Sequence, residues 1–258
     1  MTVNFISIEN SGYGVSEFTK GSSGKFVSKE EFLNNNTLPM SWAGAFRPEY
    51  LNICKTNKLK FYNFDSGYFG NRKAKIWLRI TVNGYQNFNE VVERPSDRWG
   101  KLEINLEKFS RGSDIVIVPP DNKIADVLGL KDPDTWTFDI INEIKKISDR
   151  NVRIRNRPST RTSRMVSNTF KDFIRENTWC VIGYSSNSLV EAAMCGIPVI
   201  SLGESATRSL YKESIENIEE IKPADSQKLQ QWLNHLSYCQ FNREELLSGY
   251  AWDVLNHI

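Results

Sequence analysis

The chain reads as an α/β protein built on a doubly wound parallel sheet. Three observations lead there. Strand-like and helix-like segments alternate three or four times through the second half. The run DIVIV at 114–118 is nearly all apolar, as expected of a strand covered on both faces. The stretch NTWCVIGYSSNSLVEAAMCGIPVISLGE at 177–204 reads as a buried strand, a turn of small residues, a helix and a second buried strand, which is one unit of a parallel sheet.

Taken in order, residues 3–8 (VNFISI) suit a first strand, and residues 9–28, rich in Gly and Ser, read as a loop. A helix is expected over Pro48 to Asn57. Residues 59–64 (LKFYNF) form a strand that leads into Asp65-Ser66-Gly67-Tyr68-Phe69-Gly70. Residues 76–82 (IWLRITV) form another, ending in Asn83-Gly84-Tyr85-Gln86. The second half begins near Gly112, giving halves of 1–111 and 112–258. Pro119-Pro120 ends the strand at 114–118. Trp136, Ile140, Ile141 and Ile144 recur at helical spacing up to Lys146. Residues 151–155 make the next strand, which ends at Asn156-Arg157-Pro158, and a short helix follows over 165–176. Then come a strand at Cys180 to Ile182, the turn Gly183 to Ser188, a helix from about Leu189, and a strand at Val199 to Leu202. Residues 224–236 and 242–257 close the chain as two helices. No repeat and no low-complexity linker interrupts it.

With 258 residues, 40% hydrophobic and 25% charged, the chain holds one large or two small domains with a proper core. No apolar run approaches the roughly 20 residues that span a bilayer. The N-terminus, MTVNFISIENSGYGVSEF, has no basic region followed by a long apolar core, so it is not read as a signal peptide. Cys54, Cys180, Cys195 and Cys239 lie far apart in apolar segments and read as buried thiols in a reducing cytoplasm. The only histidines, His235 and His257, are near the C-terminus. That argues against Ser–His–Asp hydrolysis and histidine metal sites in the central motifs, and leaves carboxylates as the bases there. The net charge is +2, but six arginines fall between Arg150 and Arg164. Such a cluster suits phosphate, on a nucleotide or on a nucleic-acid backbone; the alternative is a solvated basic loop.

In a doubly wound sheet, ligands sit outside the carboxyl ends of the strands. Pro119, Arg155 to Pro158, Ser185 to Ser188 and Gly203-Glu204 all fall at expected ends. The turn before the 189 helix offers backbone N–H groups, the hydroxyls of Ser185, Ser186 and Ser188, and Asn187 between them. A helix N-terminus of this kind seats phosphate. The alternative is local: Ser188 and Glu191 are spaced as a capping box, and Gly196 as the left-handed residue that ends a helix.

The segment EAAMCGIPVISLG resembles the E-A-x-x-x-G-x-P-V segment in the nucleotide-binding domain of two-Rossmann-domain (GT-B type) glycosyltransferases. The longer VIGYSSNSLVEAAMCGIPVISLGESATRSLY is similar to the corresponding region of capsule polysaccharide sugar transferases, with Arg155-Asn156-Arg157-Pro158 as the upstream strand end. Those enzymes tend to carry a histidine there, and this chain does not. The pattern DSGYFGN…WLRITVNGYQ…PSDRW resembles small glycosyltransferases encoded by bacteriophages.

The resemblance implies a compact GT-B-like fold of two Rossmann-type halves, the first one trimmed. It implies a glycosyltransferase whose co-substrate is a nucleotide-sugar, with no other cofactor. Glu191 would accept hydrogen bonds from the ribose hydroxyls. Ser185, Ser186, Asn187 and Ser188 would hold the diphosphate. Arg155 and Arg157 would neutralise the leaving nucleotide, so that fixed donors meet the developing charge without a metal, and no Asp-x-Asp metal signature is expected. An inverting transfer needs a general base, and Asp65 is the first choice, with Asp97 and Glu204 behind it. Asp-Ser-Gly is also ordinary turn chemistry. Tyr68, Arg79 and Asn83 would line the acceptor side, although Arg79 equally suits pairing with a carboxylate on the sheet face.

The phage resemblance makes a hydroxymethylated pyrimidine in DNA one acceptor, flipped from the duplex or met in a bent one, in a host cytoplasm. A cell-surface or capsule glycan is the other. The rival classes are a sugar-nucleotide epimerase or hydrolase, which would want more acid–base groups, and a non-catalytic nucleic-acid or nucleotide binder on the same fold. A plain structural protein would leave the convergence of motifs at strand ends without a reason.

Overall fold

The structure is a computed structural model and describes residues 3–8, 12, 14–44, 47–69, 76–87, 90–156 and 169–256. The chain forms two compact units. Unit 1 comprises residues 1–87, 92–104 and 233–258; unit 2 comprises 88–91 and 105–232. The units therefore differ from halves split at 111/112: the C-terminal 26 residues belong with the N-terminal ones.

In unit 1 the chain runs β1 (Ile6–Ile8), α1 (Val15–Gly21), β2 (Lys25–Val27), α2 (Lys29–Leu33), β3 (Met40–Ala43), α3 (Pro48–Asn57), β4 (Phe61–Ser66), β5 (Leu78–Val82) and α4 (Asp97–Lys101). Its described sheet has the order β10-β5-β4-β3-β1-β2, where β10 is Gln240–Phe241. β2, β1, β3 and β4 are parallel, and β5 and β10 are antiparallel additions at one edge. Unit 1 thus carries four parallel strands and two more, the last of them, β10, from the C-terminal segment.

Side-chain alternation gives this sheet two different faces. On one face Phe5, Tyr62, Phe64, Leu78, Ile80 and Phe241 pack with Val15 and Phe18 of α1 and with Leu246, Ala251, Val254 and Leu255 near the C-terminus. The rings of Phe5 and Phe18 stack at 5.0 Å. On the other face Ile6, Val27, Met40, Trp42 and Phe61 pack with Phe32 of α2 and with Tyr50 and Cys54 of α3. Each fully buried large apolar side chain contributes about 2 kcal/mol, so both helix layers are held by the sheet. Toward β10 the second face changes character, because Asn63, Thr81, Arg79 and Gln240 are buried there in place of apolar residues.

Unit 2 runs β6 (Asp114–Val118), α5 (Asn122–Leu128), α6 (Pro133–Ile144), β7 (Val152–Ile154), α7 (Phe170–Arg175), β8 (Thr178–Gly183), α8 (Asn187–Met194) and β9 (Val199–Ser201). Single 3-10 turns at Ala206–Ser209 and Ile215–Asn217 follow. The sheet is all parallel with order β7-β6-β8-β9. Ile115, Ile117, Cys180, Ile182 and Ile200 form one buried face with Trp136, Ile140 and Ile144 of α6. α9 (Ser226–Ser237) crosses the unit boundary at 232/233, and α10 (Arg243–Leu247) and α11 (Tyr250–Asn256) finish unit 1.

The expected α/β alternation is present, and the bounds of α3 and β6 coincide with the sequence reading. Residues 9–28, expected as a loop, contain α1 and β2. The expected single helix over 242–257 is two, broken at Ser248-Gly249, where Gly249 has φ +84°. All four cysteines are buried thiols, and burial pushes those of Cys54, Cys180 and Cys239 up to about 12. No helix among the described residues is long and apolar enough to cross a membrane.

Candidate functional site

In unit 2 the strand order places β6 and β8 side by side, with the chain leaving to β7 on one side and to β9 on the other. This is the switch point, where a crevice opens at the carboxyl ends of a parallel sheet. β6 ends at Val118 and β8 at Gly183, which are register partners. From β8 the chain passes through Tyr184 and Ser185 to Ser186, the N-cap of α8. The Oγ of Ser186 accepts the Ser188 N–H at 3.1 Å. Gly203 N–H donates to the Tyr184 carbonyl at 3.0 Å, and the Ser201 hydroxyl donates to the Tyr184 and Gly203 carbonyls, each at 3.0 Å. The turn is thus tied to the end of β9.

The helix starts two residues earlier than its expected start at Leu189. Ser186 and not Ser188 is the cap, so the Ser188–Glu191 capping box does not form. Ser188 is the second residue of α8, and Glu191 is half-buried one turn further in. Asn187, the first residue of α8, has both side-chain polar atoms buried with no hydrogen-bond partner among the described residues. A buried amide left unsatisfied is rare and asks for a reason. At the other end Gly196 takes φ +76°, its N–H reaching the Ala193 carbonyl and the Ile197 N–H the Ala192 carbonyl, at 3.0 and 3.1 Å. That is a Schellman ending, so Gly196 has a purely local role.

At the end of β7, the Arg155 N–H donates to the Ile117 carbonyl at 2.8 Å, and its guanidinium lies 5.1 Å from the centroid of the Phe173 ring on α7. Arg157 and the rest of 157–168 lie outside the described residues. The basic cluster is partly absorbed by the fold. Arg150 pairs with Glu219 at 2.9 Å and stacks on Trp179, whose ring also carries Arg111. Arg153 pairs with Asp114 at 3.0 Å. Two of the six arginines read as phosphate ligands are therefore committed to internal ion pairs. Asp132-Pro133-Asp134 has the spacing of an Asp-x-Asp metal signature. There Asp132 is the N-cap of α6, its Oδ1 accepting the Asp134 and Thr135 N–H groups at 3.1 and 2.9 Å.

The remaining candidates are in unit 1. Asp65 and Arg79 are register partners on β4 and β5. Arg79 Nη2 donates to Asp65 Oδ2 at 2.7 Å, and the Ser66 N–H to Asp65 Oδ1 at 2.7 Å. Asp65 keeps 31% of its side chain exposed, while Arg79 keeps 7%. The Tyr68 ring lies 5.2 Å from the Arg79 guanidinium. Its hydroxyl is used internally, donating to Gln86 Oε1 and accepting the Asn87 N–H, and burial pushes it up to about 12. Tyr68 therefore backs Arg79 and does not offer its hydroxyl to a ligand.

Asn83 belongs elsewhere. β5 is antiparallel, so its carboxyl end lies beside the start of β4. There Asn83, at φ +57°, accepts the Phe61 N–H at 3.0 Å. Four residues of strand, about 13 Å, separate that point from Asp65. Of the lesser bases, Asp97 accepts the Tyr238 hydroxyl at 2.7 Å, which holds its carboxyl below the usual range. Glu204 is exposed. Sequence reasoning missed Gln240, which completes the Asp65–Arg79 row from β10. It lies in a two-residue strand with no local signal.

No family model matches the chain, and no curated protein does. Among solved structures it is similar to one from Thermosulfurimonas dismutans described as KpsC, beta Kdo 2,7 transferase. That match has a TM-score of 0.50 at 11% identity and covers 98% of this chain and 99% of that one. A second from the same organism, KpsC, beta Kdo 2,4 transferase, matches with a TM-score of 0.47 at 10% identity, over 91% of each chain. The first likeness, over nearly the whole of both chains, shows the fold, a GT-B-like α/β architecture.

Proposed function

We propose that this chain is a glycosyltransferase that moves a sugar from a nucleotide-sugar donor to an acceptor hydroxyl. The observation that carries the reading is the turn Tyr184–Ser188 at the switch point of unit 2, with the partnerless amide of Asn187 at the first residue of α8. A helix N-terminus there supplies orphan N–H groups and about half a positive charge, the complement of a diphosphate. Ser186 Oγ is spent as an acceptor in the cap, but its O–H can still donate to a phosphate oxygen. Ser185, Asn187 and Ser188 add further donors. Glu191, one turn in, takes the ribose hydroxyls, and Arg155 with Arg157 offsets charge on the departing nucleotide. Asp65 is the base that takes the acceptor proton. The fold likeness to a protein described as a beta Kdo 2,7 transferase supports the reaction class, as analogy of fold only.

A glycan hydroxyl suits the acceptor better than DNA. Arg150 and Arg153 are neutralised by Glu219 and Asp114, which removes part of the basic face that a nucleic-acid backbone would need.

The test is a thermal-shift screen against UDP, GDP, CMP, ADP and their sugar conjugates. A ligand at a hundred times its Kd stabilises by about 2.7 kcal/mol, or about 5–10 °C in a protein of this size. One nucleotide is expected to give that shift, and Glu191→Gln to abolish most of it. No shift with any nucleotide in the folded protein would overturn the reading and favour a non-catalytic role.

A further inference from the structure

We propose that Gln240, together with Arg79, is a positioning residue that holds the Asp65 carboxylate in place; this rests on Asp65 as the base of the reaction proposed above. Gln240, Arg79 and Asp65 are register partners on the adjacent strands β10, β5 and β4. Their side chains therefore share one face of the sheet. Gln240 is fully buried and Arg79 nearly so. The Gln240 side chain acts on the turn that follows Asp65: its Oε1 accepts the Phe69 N–H at 3.0 Å, across 171 residues of sequence. The Gly67 N–H donates to the Trp77 carbonyl at 2.9 Å. A Cβ on Gly67 would stand 2.9 Å from both Gln240 Oε1 and the Trp77 carbonyl oxygen. Only glycine lets the turn close over this pair of acceptors.

Gln240 is itself held from outside the row. Its carbonyl accepts a hydrogen bond from Arg98 Nη2 at 2.6 Å. Arg98 also donates to the Ser237 carbonyl at 3.0 Å and forks onto Glu245. Support thus runs from Arg98 and Glu245 through Gln240 to the turn that follows Asp65, while Arg79, the strand neighbour of Gln240, holds the carboxylate directly.

Two further observations favour function over simple packing. The Nε of Arg79 and the Nε2 of Gln240 are buried and have no hydrogen-bond partner among the described residues. Folding alone would replace such costly groups with apolar ones, as the same face does nearer β3 with Trp42 and Met40. Asp65, the one partly exposed member, has one hydrogen bond to each carboxylate oxygen among the described residues. Each oxygen therefore keeps a lone pair for an acceptor hydroxyl, and the ring of Tyr68 under Arg79 prevents the guanidinium from swinging away.

The test measures sugar transfer, nucleotide affinity and crystal structure for Gln240→Met. Met matches Gln in length but cannot accept the Phe69 N–H. The expected result is a fall in kcat of about a hundredfold, the scale of a 1 Å misplacement, with the nucleotide Kd unchanged. In the crystal the Asp65 carboxylate should have left its 2.7 Å contact with Arg79. Asp65→Asn combined with Gln240→Met should be no slower than Asp65→Asn alone, because one residue acts through the other. Gly67→Ala approaches the same contact from the turn and serves if Gln240→Met does not fold. An unmoved Asp65, or a double variant slower by the product of the two single effects, would overturn the proposal. If the native protein transfers no sugar, the proposed function falls, and the crystal structure still decides whether Gln240 positions Asp65.

Discussion

His235 sets a pH limit on folding that can be worked out from its surroundings. It lies on α9 with 3% of its surface exposed. Its Nδ1 accepts the Val92 N–H at 3.3 Å, so the neutral ring carries its proton on Nε2, which faces Cys239 Sγ at 3.8 Å. Burial first, and the nearby Arg94 guanidinium second, push the imidazole down to about 4 from an ordinary 6.5. Below pH 6.5 the unfolded chain gains a proton that the folded chain refuses. The folded state therefore loses stability as pH falls from about 6.5 to about 4, and the full interval corresponds to about 3 kcal/mol. The comparison is urea unfolding of the native protein and of His235→Gln at several pH values from 7.5 to 4.5. The Gln amide oxygen can still accept the Val92 N–H, and titration of the carboxylates is common to both proteins. The native protein should lose most of those 3 kcal/mol relative to the variant across the range. Two stability curves that run parallel would refute the reasoning, because they would mean that the imidazole is protonated in the folded state as readily as in the unfolded chain.

Two other changes test the frame of each unit. Arg98→Met leaves Glu245 without its fork and the Ser237 and Gln240 carbonyls without a donor, and breaking a largely buried pair in this way costs about 3 kcal/mol or more, read as a fall in urea midpoint at unchanged slope. Gly196→Ala places a Cβ on a residue at φ +76°; with little but a methylene of Lys108 nearby, at 3.8 Å, the cost is conformational alone, about 1–2 kcal/mol, and a loss of nucleotide affinity beyond that of the fold would contradict a purely local role.

The parts of the fold legible in the sequence are those whose signals are local. β6, β8 and β9 are covered on both faces and so read as continuous apolar runs. α3 carries Pro48 at its first position, where proline favours a helix start. The unread parts are short or depend on distant partners. β2 and β3 have three and four residues, too few for a period of two to show. β10 has two, and exists because Gln240 and Phe241 pair with Arg79 and Leu78 across more than 150 residues. The start of α8 lies two residues before its expected position because Ser186 and Ser188 are equally good caps. The choice between them depends on where β8 stops pairing with β6 and β9, which local composition does not record. Asn83 lies away from its expected place for a related reason: alternation reveals a strand, but not its direction, and an antiparallel β5 puts its carboxyl end at the far rim.

Both sheets follow one plan. In unit 2 the first, second, third and fourth strands are β6, β7, β8 and β9; in unit 1 they are β1, β2, β3 and β4, and each set is ordered second-first-third-fourth. The plan alone accounts for the turn before α8, because a parallel sheet offers strand ends and helix starts on one edge. It does not account for Asp65. Asp65 is near the end of the fourth strand of unit 1, but its partners come from outside the plan, Arg79 from a strand that begins at that rim and Gln240 from one that returns to it from the C-terminus. The antiparallel additions extend the polar part of that face, begun by Asn63 on β4, through Thr81, Arg79 and Gln240. An apolar pair at Arg79 and Gln240 would have served the sheet with no buried donors left over. An arginine and a glutamine in those positions, in place of apolar residues, support the proposal that the row serves the carboxylate beside it.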